Sequence, residues 1–217
     1  MTKIAVAILG ATGAVGQRFV SLLENHPFFE VAALFASERS SGKSYKEATN
    51  WILPTPMPKS LESLIVSDAG YLQKNASRSV EIIFSALPTD EARELEPQYA
   101  QNGYNVFSNA SAFRMEHDVP LVVTEINAHH MQLVSDQQKN RGWKGCIVTN
   151  PNCTTTILTL ALKPLHDAFG IRAVIVSTMQ ALSGAGYPGV ASLDIIDNVI
   201  PFIAKEEENV ESEPLKI

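Results

Sequence analysis

A glycine turn set between two apolar patterns constrains this chain most: Gly10-Ala11-Thr12-Gly13-Ala14-Val15-Gly16 follows an apolar run over 4–9 and precedes a helical pattern over 15–24. A short run that is apolar at every position suits a strand buried on both faces, and such strands belong to mostly parallel sheets covered by helices. A second run over 31–35 completes a βαβ unit. Further strands are expected at 82–86, 105–107, 121–123 and 146–149, with helices near 89–101 and 127–139 between them.

The fold class read from this order is α/β, with a Rossmann-type sheet over residues 1–151. The proline-rich stretch Leu53-Pro54-Thr55-Pro56-Met57-Pro58 is a surface excursion, because each proline removes a donor and fixes φ. Beyond Cys153 the texture changes. Residues 154–169 have helical spacing, and 171–179 alternate as a long strand of a second, more antiparallel sheet would, so a boundary is placed around Asn150.

At 217 residues, 45% hydrophobic, the chain can bury a sizeable core. A formal charge of -6 argues against a nucleic-acid surface, which needs clustered Lys and Arg. No stretch is apolar enough to span a bilayer, and Met1-Thr2-Lys3 leads straight into a core strand, so a soluble, cytoplasmic protein without a signal peptide is expected. Cys146 and Cys153 fit a reducing compartment and are not expected to pair, and no Cys/His spacing suggests a metal.

The glycine turn has the context of a dinucleotide site. Gly10 would allow the sharp turn, Gly13 the close approach of a pyrophosphate, and Gly16 tight packing of helix on strand, with Thr12, Ala14 and Val15 completing the phosphate cradle at the helix N-terminus. A tight turn with no ligand is the alternative. After the second strand, Ser37-Glu38-Arg39-Ser40-Ser41-Gly42-Lys43 offers cations and hydroxyls suited to a 2′-phosphate, which favours NADP held by Ser37, Arg39 and Ser40. Glu38 stands against this, since a carboxylate could bind a free ribose 2′-OH. Ser85 and Leu87, in the segment that ends the strand expected over 82–86, would line the adenosine side through their backbone.

Cys153, in Asn150-Pro151-Asn152-Cys153-Thr154-Thr155, sits where a strand gives way to a helix. The positive end of a helix favours thiolate over thiol and can stabilise an oxyanion. A small buried apolar residue is the alternative reading.

Together with Ser108-Asn109-Ala110-Ser111 and Gln180-Ala181-Leu182-Ser183-Gly184-Ala185-Gly186, these motifs resemble aspartate-semialdehyde dehydrogenases, of the archaeal and fungal branch, in the right order over essentially the whole chain. The resemblance implies NADPH-dependent reduction of L-aspartyl 4-phosphate to L-aspartate 4-semialdehyde through a cysteine thioester, with release of phosphate. That step leads to threonine, methionine and, in some organisms, lysine. It implies Cys153 as nucleophile, Asn152 and the amides after Cys153 as oxyanion donors, and Gln180 as the group that orients the acyl chain. Arg114 and Asn109 would hold substrate and phosphate, Glu206 the substrate amino group, and Ser183 with Gly184 would lie against the nicotinamide. Full-length members are expected to be homo-oligomers, dimers or tetramers.

Two departures stand out. The family's usual lysine three residues after the glutamate is Asn209 here, and members continue past Ile217 to supply an arginine and a general acid/base histidine. Residues 152–217 therefore read as the N-terminal part of a catalytic and dimerisation domain. None of His26, His117, His129, His130 or His166 is a convincing replacement; His166 lies roughly 20 Å along its helix from Cys153 at 1.5 Å per residue. Competing readings are a non-catalytic NADP-binding or subunit-interaction fragment, and an acyl-phosphate reductase of the N-acetyl-glutamyl-phosphate type, whose flank is Pro-Gly-Cys where this chain has Pro151-Asn152-Cys153.

Overall fold

The computed structural model describes residues 2–70 and 80–217. The central strand is β1 (Ile4–Leu9). Successive side chains of a strand point to opposite faces, so Val6 and Ile8 enter one core with Val20, Leu34 and Tyr45, while Ala7 and Leu9 enter the other with Ile83, Tyr99, Val106 and Ile147. Burial on both faces is what the unbroken apolar run demands. Each fully buried aliphatic side chain contributes roughly 1.5–3 kcal/mol.

Around β1 are β2 (Phe29–Ala36), β3 (Val66–Asp68), β4 (Ile82–Ser85), β5 (Asn105–Ser108) and β6 (Cys146–Thr149), in the order β3-β2-β1-β4-β5-β6. Every neighbouring pair is parallel. The order reverses between β1 and β4, so a crevice opens at the carboxyl ends of these strands, where doubly wound sheets bind their ligands. The helices are α1 (Ala14–Leu23), α2 (Tyr45–Ala48), α3 (Thr89–Gln101), α4 (Thr124–Asn127), α5 (Leu133–Arg141), α6 (Cys153–Phe169), α7 (Ser192–Ile195) and α8 (Glu206–Ser212). Among the described residues, no helix is long and apolar enough to cross a membrane.

Three expectations need correction. Residues 121–123 form no strand beyond one bridge from Leu121 to Thr149, because Asn127 takes their backbone groups: its Oδ1 accepts from Val123 N and its Nδ2 donates to Leu121 O, each at 2.8 Å. The helix expected over 127–139 is broken into α4, a 3-10 turn (Ala128–Gln132) and α5, since Asn127 leaves helical geometry at φ -134° and ψ 38°. Residues 171–179 form no strand, with Ile175 and Met179 almost wholly exposed, because no described segment lies alongside to complete a ladder. The sequence also hid β3, which is only three residues long.

Candidate functional site

In a parallel sheet all carboxyl ends share one edge, and here backbone hydrogen bonds stitch the loops along it. Ala86 N donates to Leu9 O at 2.9 Å, Asn109 N to Ser85 O at 3.0 Å, and Asn150 N to Ser108 O at 2.9 Å. The Asn150 carboxamide also donates to Asn109 Oδ1. The glycine turn after β1 and the turn after β6 are thus three strand spacings apart, about 14 Å at the usual separation of neighbouring strands.

The glycine turn is held from several sides. Tyr45, fully buried, donates its hydroxyl to Ala11 O at 2.8 Å, and Ala11 N donates to Phe35 O at 2.9 Å. Gln17 donates to Thr12 O at 3.0 Å and to Asn50 O at 2.9 Å. Gly10 has φ +72°, and a Cβ there would lie 2.6 Å from Ala86 O. Gly13 is the N-cap of α1, and no side chain caps the helix. Its first amides are therefore available to an anion, and the space beside Gly13 is nearly open: a Cβ there would meet only Gly10 O, at 3.4 Å. These features fit a dinucleotide pyrophosphate beside Thr12, Ala14 and Val15.

Ser37 is the N-cap of a 3-10 turn (Glu38–Ser40) that follows β2. Ser37, Glu38 and Arg39 are exposed, and Arg39 has no ion pair among the described residues. Ser85 is fully buried at the end of β4, and Leu87 is half-buried beyond it.

Cys153 is the first residue of α6 and its thiol is free and exposed. Cys146 is buried, and desolvation pushes its thiol up to about 11, which leaves it protonated near neutrality. Ahead of Cys153, Asn152 caps the helix, its Oδ1 accepting from Thr154 N at 2.8 Å and Thr155 N at 3.2 Å. Those two amides are consequently engaged, and the amide expected to help an oxyanion must be sought elsewhere, at Cys153 N or the second proton of the Asn152 carboxamide.

Glu206 gathers the remaining groups. Its carboxylate accepts from Asn152 Nδ2 at 2.8 Å, from Thr154 Oγ1 at 2.6 Å and from Gln180 Nε2, which also donates to Thr154 Oγ1 at 3.0 Å. Burial acts to raise the Glu206 carboxyl, but these hydrogen bonds and the charge of Arg114 outweigh it and hold it below the ordinary carboxylate range. Ser183 and Gly184 lie in an exposed 3-10 turn (Leu182–Ala185), and a Cβ at Gly184 would come within 3.5 Å of Gln180 Oε1. The fold thus brings Asn152, Gln180 and Glu206 together beside Cys153.

Arg114 is 9% exposed. It donates from Nη2 to Asn109 O at 2.8 Å and from Nη1 to Glu213 Oε1 at 3.0 Å, while its buried Nε has no partner. Glu213 is a residue that sequence reasoning missed: it lies in a 3-10 turn (Glu213–Leu215), is 1% exposed, and its Oε2 accepts from Asn152 N at 2.6 Å. Nothing in its acidic neighbourhood distinguishes it from a solvated glutamate.

The histidines serve other ends. His166 lies in the last turn of α6 and accepts from Ile171 N, His26 accepts from Phe28 N and Phe29 N, and His130 meets Asn127. Among the described residues, no group of His, Cys, Asp and Glu is arranged to hold a metal.

Two family models match the chain: "Semialdehyde dehydrogenase, NAD binding domain" over residues 5–134, and "Semialdehyde dehydrogenase, dimerisation domain" over residues 162–217. The aspartate-semialdehyde dehydrogenase of Archaeoglobus fulgidus is 54% identical across 99% of this chain and 61% of its own length. That of Methanothermobacter thermautotrophicus is 53% identical across 99% of this chain and 60% of its own length. The chain therefore spans about three-fifths of the length of these curated relatives. Among solved structures, aspartate semialdehyde dehydrogenase with NADP from Candida albicans superposes with a TM-score of 0.84 at 37% identity, covering 98% of this chain and 59% of that one.

Proposed function

This chain belongs to the semialdehyde dehydrogenase family, and from that premise we propose that it carries the cofactor cradle and the nucleophile for reducing L-aspartyl 4-phosphate to L-aspartate 4-semialdehyde with NADPH. In this reading the step feeds the synthesis of threonine, methionine and, where that route exists, lysine. One observation carries the proposal: an exposed thiol heads α6 on the same sheet edge as the uncapped N-terminus of α1.

Residues 1–151 serve as the dinucleotide domain and 152–217 as part of the catalytic and subunit-contact region. Gly10, Thr12, Gly13, Ala14, Val15 and Gly16 hold the pyrophosphate. Ser37, Arg39 and Ser40 receive the 2′-phosphate, which selects NADP, the cofactor of the Candida albicans structure. Ser85 and Leu87 line the adenosine side, and Ser183 with Gly184 approach the nicotinamide. When bound, the nicotinamide supplies or accepts a hydride.

Cys153 Sγ attacks the acyl carbon as thiolate; the S–C bond forms, the C–O bond to phosphorus breaks, and phosphate leaves with the electron pair. The product is a thioester, which is then reduced, and the aldehyde departs as sulfur recovers its electrons. Gln180 orients the acyl group. Asn152 donates to the oxyanion, and Glu206 receives the substrate ammonium within the cluster it already organises. Arg114, with Asn109 behind it, supplies a guanidinium whose uncommitted N–H groups hold phosphate.

Phosphate-dependent formation of NADPH from aspartate semialdehyde, read at the nicotinamide absorbance, tests this reading. Whatever turnover the chain supports should be abolished by Cys153→Ser; NADPH formation that persists without Cys153 or without phosphate contradicts it. A second reading, a non-catalytic NADP-binding or subunit-contact chain, is favoured by one observation: no histidine hydrogen-bonds to the Cys153 cluster among the described residues. Alkylation separates the two readings. A catalytic Cys153 reacts with iodoacetamide near neutral pH much faster than Cys146, whereas slow labelling of both favours the binding role.

A further inference from the structure

We propose that Glu213 is a positioning residue that couples the phosphate-binding arginine to the turn presenting the nucleophile. This rests on the roles given above to Arg114 and Cys153. The carboxylate is 1% exposed, and a buried carboxylate persists only when both oxygens find donors. Those donors come from different loops: Arg114 Nη1, from the loop after β5, and Asn152 N, from the turn after β6. One planar group therefore spans the two elements that must meet across an acyl phosphate.

The donor at Asn152 belongs to the residue immediately before Cys153. That N–H lies outside the helix ladder, and tying it down fixes the Pro151–Asn152 peptide, one residue ahead of the thiol. A second grip comes from the same segment. Lys216 Nζ donates to Arg114 O at 2.5 Å, Glu116 O at 2.7 Å and Val119 O at 2.8 Å. Residues 213–216 thus hold the backbone of Arg114 as well as its guanidinium.

Of the five N–H groups of Arg114, one points to Glu213 and one to Asn109 O, and Nε is unpartnered. An anion arriving at the remaining donors competes with Glu213 for the same positive charge. The competition is transmitted to Asn152, because the two Glu213 oxygens belong to one rigid group.

The test is the iodoacetamide alkylation rate of Cys153, measured by mass spectrometry in the presence and absence of inorganic phosphate, for the unchanged chain, Glu213→Gln, Glu213→Asp, Arg114→Gln and the Arg114→Gln/Glu213→Gln pair. Glu213→Gln is expected to slow alkylation about tenfold, the scale of a lost charged hydrogen bond, and to weaken the response to phosphate. The double variant should be no slower than the slower single one, since both act through one contact. Glu213→Asp keeps the charge and should restore part of the rate; it is the variant read if Glu213→Gln does not fold, as judged by thermal unfolding and NADP binding at the distant glycine turn. A Glu213→Gln chain that folds and alkylates at the unchanged rate with an unchanged phosphate response overturns the coupling alone, as do independent, multiplying effects of the two single changes. A Cys153 that is inert in the unchanged chain defeats the functional reading and the coupling with it.

Discussion

At Gly16 an added Cβ would stand 2.1 Å from the Gly10 carbonyl oxygen and 2.7 Å from Ala11 Cα, both backbone atoms that cannot move aside cheaply. Gly16→Ala should therefore destabilise the chain on the order of 4 kcal/mol, seen as a lower urea midpoint. Gly13→Ala meets only Gly10 O at 3.4 Å, so it should destabilise by about 1 kcal/mol or less while placing a methyl where the proposed pyrophosphate would lie. The pair separates the demands of fold and ligand: Gly13→Ala should lower its urea midpoint far less than Gly16→Ala does, and lose NADP affinity in a fluorescence titration. Glu206 gives a pH signature. Its folded carboxyl lies below the ordinary range, so its contribution to stability is present above the unfolded carboxylate value, near 4.3, and is lost as pH falls through the lower folded value. Between about pH 5 and 3 the unchanged chain should lose stability more steeply than Glu206→Gln; parallel curves would show that the cluster contributes nothing.

Helix α6 owes its start to one side chain. Asn152→Ala removes the acceptor for Thr154 N and Thr155 N and the donor to Glu206, and should cost about 1 kcal/mol from the cap. Thermal unfolding measures that cost, and an unchanged midpoint would mean that the cap is dispensable. The start of this helix was legible in the sequence because helical spacing over 154–169 follows closely on a buried strand, and the strands β1, β2, β4 and β6 were legible because burial on both faces leaves unbroken apolar runs. Where a long-range partner decides, the sequence was silent. Residues 171–179 alternate like a strand, but a strand needs a neighbour, and residues 121–123 are apolar but Asn127 takes their backbone groups first. Glu213 shows the same limit within the site, since only the folded chain brings residue 114 and residue 152 to the same carboxylate.

Across the whole molecule, the parallel sheet turns separate motifs into one edge. Gly10, Ser85, Asn109 and Cys153 are scattered over more than half of the sequence, yet each follows or caps the carboxyl end of a strand, and the backbone bonds between their loops fix the order in which a bound dinucleotide and an acyl group would be met. The segment beyond α6 has a different character: Ile175, Met179, Leu193 and Val199 present apolar surface to solvent in the region matched by the dimerisation model. The proposed chemistry turns on Cys153 accepting an acyl group, a step that requires neither hydride nor a histidine. Mixing the chain with L-aspartyl 4-phosphate and weighing it by intact-protein mass spectrometry tests this directly. The expected result is a gain of one aspartyl group located by peptide mapping at Cys153, released by hydroxylamine and absent in Cys153→Ser; an unmodified mass, or an adduct that survives the loss of Cys153, would contradict it.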